Sequence, residues 1–155
     1  CKQYNVPLII NDNVKLAKEI DADGVHLGQD DLDIKAAREY LGADKIIGVS
    51  AHNVKEALGA ENGGADYLGS GAAFVTSTKT DAGAIDHKVL SDVAHSVKIP
   101  VVAIGGINKD NISQLEGLGL DGVAVVSAIF AADDISSAVI DLKAKAEKVA
   151  ESSVK

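Results

Sequence analysis

Ala-Asp-Gly-Val at residues 22–25 leads into a short apolar run, and the pattern returns as Ala-Asp-Tyr-Leu at 65–68 and Leu-Asp-Gly-Val at 120–123. Each copy follows a stretch with helical spacing of apolar residues, so each marks a turn from a helix into a strand. Six such apolar runs end in polar or glycine residues, at Pro7–Ile10, Val25–Leu27, Ile46–Val49, Tyr67–Phe74, Val101–Ile104 and Val123–Val126. Runs that are nearly all apolar are typical of parallel strands buried on both faces. The sequence therefore predicts six β-α units.

Amphipathic stretches between these runs predict the helices. They cover Asn13 to about Ile20, Asp33 to Gly42, Val54–Glu61, Asp86–Val97, Asp110–Leu118, and about Asp134 to Val149. Right-handed crossovers leave two architectures, an open doubly wound sheet or a closed barrel. An open sheet gathers its ligand contacts at one switch point, whereas here nearly every strand end is polar. We therefore expect an α/β fold of the TIM (β/α)8-barrel type, with six of the eight units present.

The composition limits the class of protein. The 155 residues predict one domain, 1–155, with Ser152–Lys155 as a frayed tail. A formal charge of −8 argues against nucleic-acid or anionic-membrane partners. One cysteine, Cys1, cannot form an internal disulfide, and no segment resembles a signal peptide or a membrane span. These features predict a cytoplasmic protein.

Two carboxylates, Asp12 and Asp31, follow the first two predicted strands. Because the carboxyl ends of parallel strands meet at one barrel mouth, the pair suits Mg²⁺, which prefers oxygen ligands and keeps positions open for phosphate oxygens. Aspartate also favours helix N-caps. Both interpretations stay open on spacing alone.

A polar segment, Thr76-Ser77-Thr78-Lys79, follows the fourth predicted strand. Hydroxyls, loop N–H groups and an ammonium within four residues could cradle a phosphate. The alternative is a solvated polar loop. The continuation through residues 80–83 is consistent with a lid over a site.

Gly105-Gly106 and Ser127 follow the last two predicted strands. Loops after the last two strands of barrels often hold phosphate, because bare backbone N–H groups can approach it. Ser50 and His52 follow the third strand, but the orienting acid and oxyanion hole of a hydrolase are missing from the pattern. Ser50 is therefore expected to contact substrate and His52 to be structural. Of the other histidines, His26 is expected in the core, and His87 and His95 on a solvent-facing side of a helix.

Taken together, these segments resemble the thiamine-phosphate synthase family. The likeness runs across essentially the whole chain, and its most specific parts are the His-x-Gly-Gln-x-Asp stretch at 26–31 and the Thr-x-Thr-Lys stretch at 76–79. The resemblance implies an enzyme that joins hydroxymethylpyrimidine diphosphate to hydroxyethylthiazole phosphate and releases pyrophosphate. It also implies that the six units correspond to barrel strands 3 to 8, without the first two units and their diphosphate-binding Gln-x-Arg-x-Lys strand.

The resemblance assigns roles to residues of this chain. Asp12 and Asp31 would ligate Mg²⁺ on the leaving pyrophosphate, and Asn11 and Lys79 would hold the same diphosphate. Ser50 would lie near the reacting carbon. The thiazole phosphate would be held by Thr76, Thr78, Gly106, Val126 and Ser127. A dissociative displacement needs little proton transfer, so the protein must mainly neutralise the departing charge and hold the reacting carbon. The catalytic candidates are therefore Lys79 and Ser50. One departure from the family is Val75, where proline is usual.

Alternative functions remain. Thiazole tautomerase relatives share the Ser-Ala-His and Gly-Gly regions, but they generally carry a histidine near the strand end at 69–74, which is absent here. A non-catalytic phosphate-binding fragment is the other candidate. A barrel with six units has two exposed strand edges, which predicts self-association or a complementing N-terminal segment.

Overall fold

The computed structural model describes residues 1–75 and 84–153. Within these ranges the strands are β1 (Ile9–Asn11), β2 (Gly24–Leu27), β3 (Ile46–Ser50), β4 (Tyr67–Gly71), β5 (Val101–Ile104) and β6 (Gly122–Ala124). The helices are α1 (Val14–Glu19), α2 (Ile34–Leu41), α3 (Val54–Gly63), α4 (His87–Ser96), α5 (Ser127–Phe130) and α6 (Ile135–Glu151). Short 3-10 helices occupy Lys2–Tyr4 and Ile112–Leu115.

The six strands form one parallel sheet in the order β1-β2-β3-β4-β5-β6. A doubly wound sheet reverses its strand order at a switch point, whereas this order never reverses. Residues of both β1 and β6 line one cavity. In a flat sheet these strands would lie about 24 Å apart at the usual strand spacing, so the sheet is curled. The fold is TIM-barrel-like, which confirms the choice of a barrel-type sheet over an open one.

The two faces of the curled sheet differ in burial. Side chains that point outward, under the helices, are fully buried, including Val25, Leu27, Ile47, Leu68 and Val101. Alternate residues point inward and are half-buried or exposed, such as His26, Tyr67, Val102 and Ile104. The aliphatic core therefore lies between the helices and the sheet, and the concave face carries the polar residues.

The repeated aspartates explain why the turn motif recurs. Asp23, Asp66 and Asp121 each precede an even-numbered strand, and we call them the strand-start aspartates. Their Oδ2 atoms accept the backbone N–H groups of Leu8, Ile47 and Val101 at 2.7 Å. In return, the aspartate N–H donates to the carbonyl of the same residue, at 2.8–3.0 Å. Each aspartate thus fixes the start of its own strand against the strand before it.

The helices at the two ends of the sheet, α1 and α6, leave several apolar side chains exposed. In α1, Val14 and Ala17 are buried, but Leu16 and Ile20 are exposed. In α6, Leu142 is buried, whereas Ile135, Val139 and Ile140 are exposed. The helices between them, α2 to α4, bury Ala37, Ala57, Ala60, Leu90, Val93 and Ala94. Apolar exposure is therefore concentrated at the two free edges of the sheet.

The structure corrects several predicted boundaries. β4 ends at Gly71 rather than Phe74, because Ala73 and Phe74 leave the ladder and donate their N–H groups to Ile104 O and Gly105 O. β6 likewise ends at Ala124, two residues before the predicted end.

The predicted helix Asp110–Leu118 is also wrong. The structure has the 3-10 helix Ile112–Leu115 in its place, and Gly117, near the end of the predicted helix, has a left-handed φ of 75° that does not continue a helix. The short helix α5, Ser127–Phe130, has no counterpart in the prediction.

The chain end is described as far as residue 153. Ser152 Oγ accepts the Gly117 N–H at 2.8 Å and donates to Val149 O. Ser152 is thus anchored rather than frayed, and for residues 154 and 155, outside the described ranges, the tail stays a prediction. Over residues 1–75 and 84–153, no helix combines the length and the apolar character needed to cross a membrane.

Replacing Asp66 with alanine tests the role of the strand-start aspartates. The variant removes the acceptor of the buried Ile47 N–H and the partner of Arg38, which contacts Asp66 at 2.8 Å. We expect the free energy of unfolding to fall by about 1–3 kcal/mol, measured by urea denaturation, because a buried donor is left unsatisfied. Asp44→Ala, in an exposed turn, is the matched control and should change it by less than about 0.5 kcal/mol. Equal stability of the two variants would contradict this role.

Candidate active site

One cavity of about 430 Å³ opens on the concave face of the sheet, near the carboxyl ends of the strands. Five of the predicted substrate-binding residues line it together: Asn11, Ser50, Gly106, Val126 and Ser127. They come from the ends of β1, β3, β5 and β6 and the start of α5. The curled sheet therefore brings together positions that are up to 116 residues apart in the chain.

A hydrogen-bonded chain of three side chains forms the floor of this cavity. Tyr67 Oη lies 2.9 Å from His26 Nδ1, and Ser50 Oγ lies 3.0 Å from His26 Nε2. All three are half-buried and line the cavity. Burial raises the pKa of the Tyr67 phenol above its ordinary value. These two hydrogen bonds fix the position of Ser50 Oγ at the cavity.

Among the polar side chains of the cavity, those that sequence reasoning missed are His26 and Tyr67. His26 was expected in the core, but it points inward between Tyr67 and Ser50. The alternation of side chains along a strand could have predicted this position. Val25 and Leu27 on either side of His26 are fully buried against the helices, so His26 must point to the opposite face. Tyr67 follows a strand-start aspartate and so begins a strand on the inward face.

Two glycines leave room for the side chains of His26 and Tyr67. A Cβ atom on Gly48 would lie 2.2 Å from the Tyr67 ring and 2.5 Å from His26 Nδ1. On Gly69 it would approach the His26 ring at 3.0 Å. Glycine at these inward positions of β3 and β4 is therefore required by the side chains beside it, rather than by a turn.

The loops around Ser50 are tied by polar contacts. Gln29 Nε2 donates to Ser50 O at 2.6 Å, which joins the loop after β2 to the end of β3. His52 lines the cavity and contacts Glu56 through its backbone N–H at 2.8 Å and its ring at 3.0 Å. Partial burial acts to raise the pKa of Glu56, but the hydrogen bonds from His52 and Asn53 outweigh it and hold the pKa below its ordinary value. His52 thus has the structural contacts expected of it.

The Gly105-Gly106 turn lines the cavity after β5. Both residues are in the left-handed region, with φ values of 97° and 66°. A Cβ on Gly106 would lie 2.7 Å from the carbonyl oxygens of Phe74 and Val75. The turn is therefore in direct contact with the segment that leads into Thr76. Bare backbone at such a turn suits anions, because N–H groups can approach them closely.

The predicted metal ligands lie beside this cavity. Asp31 lines a neighbouring cleft between the loop after β2 and α3, and its Oδ2 accepts the Gly28 N–H at 2.6 Å. Asp12 directly follows β1, and its N–H donates to His26 O at 2.8 Å. The N-caps are Asn13 for α1 and Asp33 for α2, so the capping alternative is wrong for both aspartates. No group of three or more metal-ligating side chains occurs in the part of the chain that the structure describes.

Three predicted site residues, Thr76, Thr78 and Lys79, lie outside the described residues. Their assignments stay predictions. The remaining histidines divide: His95 is exposed, as predicted, but His87 is half-buried. The His87 ring packs edge-on against Phe74, with centroids 5.1 Å apart, and its Nε2 lies 3.3 Å from Ala73 O. α4 therefore supports the segment just before Thr76.

The described lining of the cavity carries no Lys, Arg, Asp or Glu. Its polar groups are amide, hydroxyl and imidazole side chains together with the backbone of the Gly-Gly turn. Such groups orient a small polar molecule by hydrogen bonds, but they do not by themselves balance a phosphate charge.

These features define a TIM-barrel-like α/β protein with a candidate ligand cavity at the carboxyl ends of its strands. The family model for thiamine monophosphate synthase matches residues 1–129. The chain belongs to this family, which confirms the resemblance drawn from the strand-end motifs.

Individual relatives agree with this assignment. The thiamine-phosphate synthase of Clostridium beijerinckii is 50% identical over 141 residues, covering 91% of this chain and 68% of the relative. That of Clostridium acetobutylicum is 54% identical over 132 residues, covering 85% and 63%. The solved thiamine phosphate pyrophosphorylase of Pyrococcus furiosus superposes with a TM-score of 0.87 at 44% identity, covering 96% of this chain and 71% of that one. The chain thus spans about two thirds of the length of these relatives.

Replacing Gly48 with alanine tests the packing of the His26–Tyr67–Ser50 chain. Since the new methyl group would overlap Tyr67 and His26, we expect a loss of about 1–3 kcal/mol in the free energy of unfolding. The matched control is Gly59→Ala in the interior of α3, where nothing lies within 4 Å of the new Cβ. That change should stabilise the protein by about 0.5–1 kcal/mol. Thermal and urea unfolding measure both, and a neutral Gly48→Ala would contradict the packing.

Proposed function

We propose that this protein acts as a thiamine-phosphate synthase, joining hydroxymethylpyrimidine diphosphate to hydroxyethylthiazole phosphate with release of pyrophosphate. The observation that carries the proposal is the meeting of Asn11, Ser50, Gly106, Val126 and Ser127 around one cavity in a chain of this family. Relatives about 50% identical bear the name of this enzyme.

The proposed reaction is a dissociative displacement. The C–O bond between the pyrimidine methylene and its diphosphate breaks first, and the electron pair leaves with pyrophosphate. The nitrogen lone pair of the thiazole then forms the new C–N bond, which leaves the thiazolium cation of thiamine phosphate. Because little proton transfer is needed, the protein's task is to hold both substrates in line and to stabilise the departing charge.

The cavity residues divide between the two substrates. Ser50, held by His26, lies on the pyrimidine side near the reacting carbon, and Asn11 holds the diphosphate. Gly106, Val126 and Ser127 hold the thiazole phosphate together with Thr76 and Thr78. The fixed Ser50 hydroxyl and the left-handed Gly-Gly turn support these roles, since each presents a polar group at a defined place.

We assign a magnesium ion to the carboxylates that follow β1 and β2. Asp12 and Asp31 offer the oxygen ligands that Mg²⁺ prefers, and neither serves as the helix N-cap. The Gly28 N–H orients the Asp31 carboxylate by donating to its Oδ2 at 2.6 Å, and Asp31 would hold the metal together with Asp12. When bound, Mg²⁺ would supply charge neutralisation for the diphosphate.

Lys79 is the proposed cation for the leaving group. The described lining is neutral, whereas a diphosphate carries several negative charges, so a cation must come from elsewhere. Lys79 follows the segment Phe74–Val75, which contacts the Gly-Gly turn. It is the candidate because the family motif places a lysine at this position.

Product formation from the two substrates tests the function. With Mg²⁺ present, we expect the chain to make thiamine phosphate, measured by chromatography. Asp31→Ala and Lys79→Ala should each lower kcat by at least about 100-fold, because each removes charge stabilisation of the leaving group. Asp30→Ala, the exposed neighbour of Asp31, is the matched control and should stay within about twofold.

Two other results would count against the proposal. Binding of either phosphate without product would favour the phosphate-binding fragment. Full activity in Asp31→Ala would contradict the metal site.

We further propose that the six strands correspond to six of the eight units of a barrel, and that the free edges are covered by another segment or a second copy. The inward face is half-exposed, and apolar side chains are exposed at both edges: Tyr4, Val6, Leu16 and Ile20 on one side, and Phe130, Ile135, Val139 and Ile140 on the other. Unpaired edges of this kind favour association with another chain.

Sedimentation of the chain at micromolar concentration tests edge pairing. We expect a dimer or larger species, or a monomer that gains stability when the unmatched third of the Clostridium beijerinckii relative is added as a separate segment. A well-folded monomer that ignores that segment would contradict the proposal.

A further inference from the structure

The side chain of Asn111 is bonded to the Gly-Gly turn. Asn111 stands at the N-cap of the 3-10 helix Ile112–Leu115, but it makes no side-chain cap hydrogen bond there. Instead, its Nδ2 donates to Gly106 O at 2.9 Å, and its Oδ1 accepts the Asn108 N–H at 2.8 Å. The amide thus connects two points of one turn and leaves its own helix uncapped.

The two bonds fix the orientation of this amide. Flipping the group would place its oxygen against Gly106 O and its NH₂ against the Asn108 N–H, so both contacts would become repulsive. Asn111 is half-buried, which makes unpaired polar atoms there unfavourable. This position therefore requires an asparagine side chain, which offers a donor to Gly106 O and an acceptor to the Asn108 N–H.

The contact with Gly106 O sets a peptide plane that borders the cavity. In a planar trans peptide the C=O of Gly106 and the N–H of Ile107 point in opposite directions, so fixing one fixes the other. Gly106 and Ile107 both line the cavity. The preceding carbonyls are also engaged, since Ala73 N donates to Ile104 O at 2.8 Å and Phe74 N to Gly105 O at 3.0 Å. Of these three consecutive carbonyls, the one that accepts from side chains within residues 1–75 and 84–153 is that of Gly106. Asn111 Nδ2 is its close donor at 2.9 Å, and Asn108 Nδ2 lies farther away at 3.5 Å.

We propose that Asn111 is a positioning residue for the phosphate of the thiazole substrate. It acts through the Gly106–Ile107 peptide plane, which it holds in the orientation that receives the phosphate, and it does not touch the substrate. The assignment rests on the proposed synthase function, because it deepens the role given there to Gly106.

Titration calorimetry with hydroxyethylthiazole phosphate tests this role. Asn111→Asp keeps the shape and the acceptor for Asn108 but loses the donor to Gly106 O, and Asn111→Ala loses both. We expect each to bind about tenfold more weakly, since one positioning hydrogen bond is lost. Asn62→Asp, an exposed position in α3, adds the same charge and should bind as the wild type does.

A second readout separates positioning from a merely structural role. In the catalytic assay the Asn111 variants should raise KM for the thiazole phosphate about tenfold and leave KM for the pyrimidine diphosphate unchanged. Wild-type binding by Asn111→Asp would overturn the inference, as would equal weakening toward both substrates with a lowered Tm. If the wild-type chain binds no thiazole phosphate, the proposed function itself fails, and the Asn111 assignment fails with it.

Discussion

The fold depends on how parallel strands are aligned at their starts. A parallel pair cannot be joined by a tight turn, so each register must be set across a helix and two loops. The strand-start aspartates provide this alignment, because a carboxylate and an amide on the same residue bond to one residue of the previous strand. Three such contacts join β1 to β2, β3 to β4 and β5 to β6. Alignment at the starts fixes how the two strands of each pair lie beside each other, and the site is built from the ends of these strands.

The candidate site combines rigid and bare parts. Ser50 is held from one side by His26 and Tyr67 and through its backbone by Gln29. The Gly-Gly turn offers backbone in place of side chains and contacts the segment before Thr76. This division suits the proposed reaction, in which a small reacting centre must be oriented while a diphosphate and a phosphate are held.

Much of the architecture could be predicted from the sequence, because it follows from local rules. Apolar runs mark strands, and aspartate or asparagine marks the helix starts, as at Asn13, Asp33 and Asp86. The errors occur where tertiary contacts decide. The residues after Gly71 have a strand-like composition, but their N–H groups donate to Ile104 and to the Gly-Gly turn. His26 lies between two apolar residues in the sequence, but its side chain is hydrogen-bonded to Ser50. Inward or outward direction along a strand depends on register, which composition does not encode.

The alternation along the strands separates two kinds of selection on one chain. In β2, Val25 and Leu27 lie in the aliphatic layer while His26 between them faces the cavity, and in β3, Val49 precedes Ser50 in the same way. In these strands, therefore, the outward-facing residues stabilise the fold, and the inward-facing residues form the candidate site. A lineage can change its ligand by substituting the inward set while the outward set keeps the sheet intact. Because inward and outward residues alternate, the composition of a strand does not reveal which residues face the cavity. The same alternation allows the cavity residues to change without loss of the core.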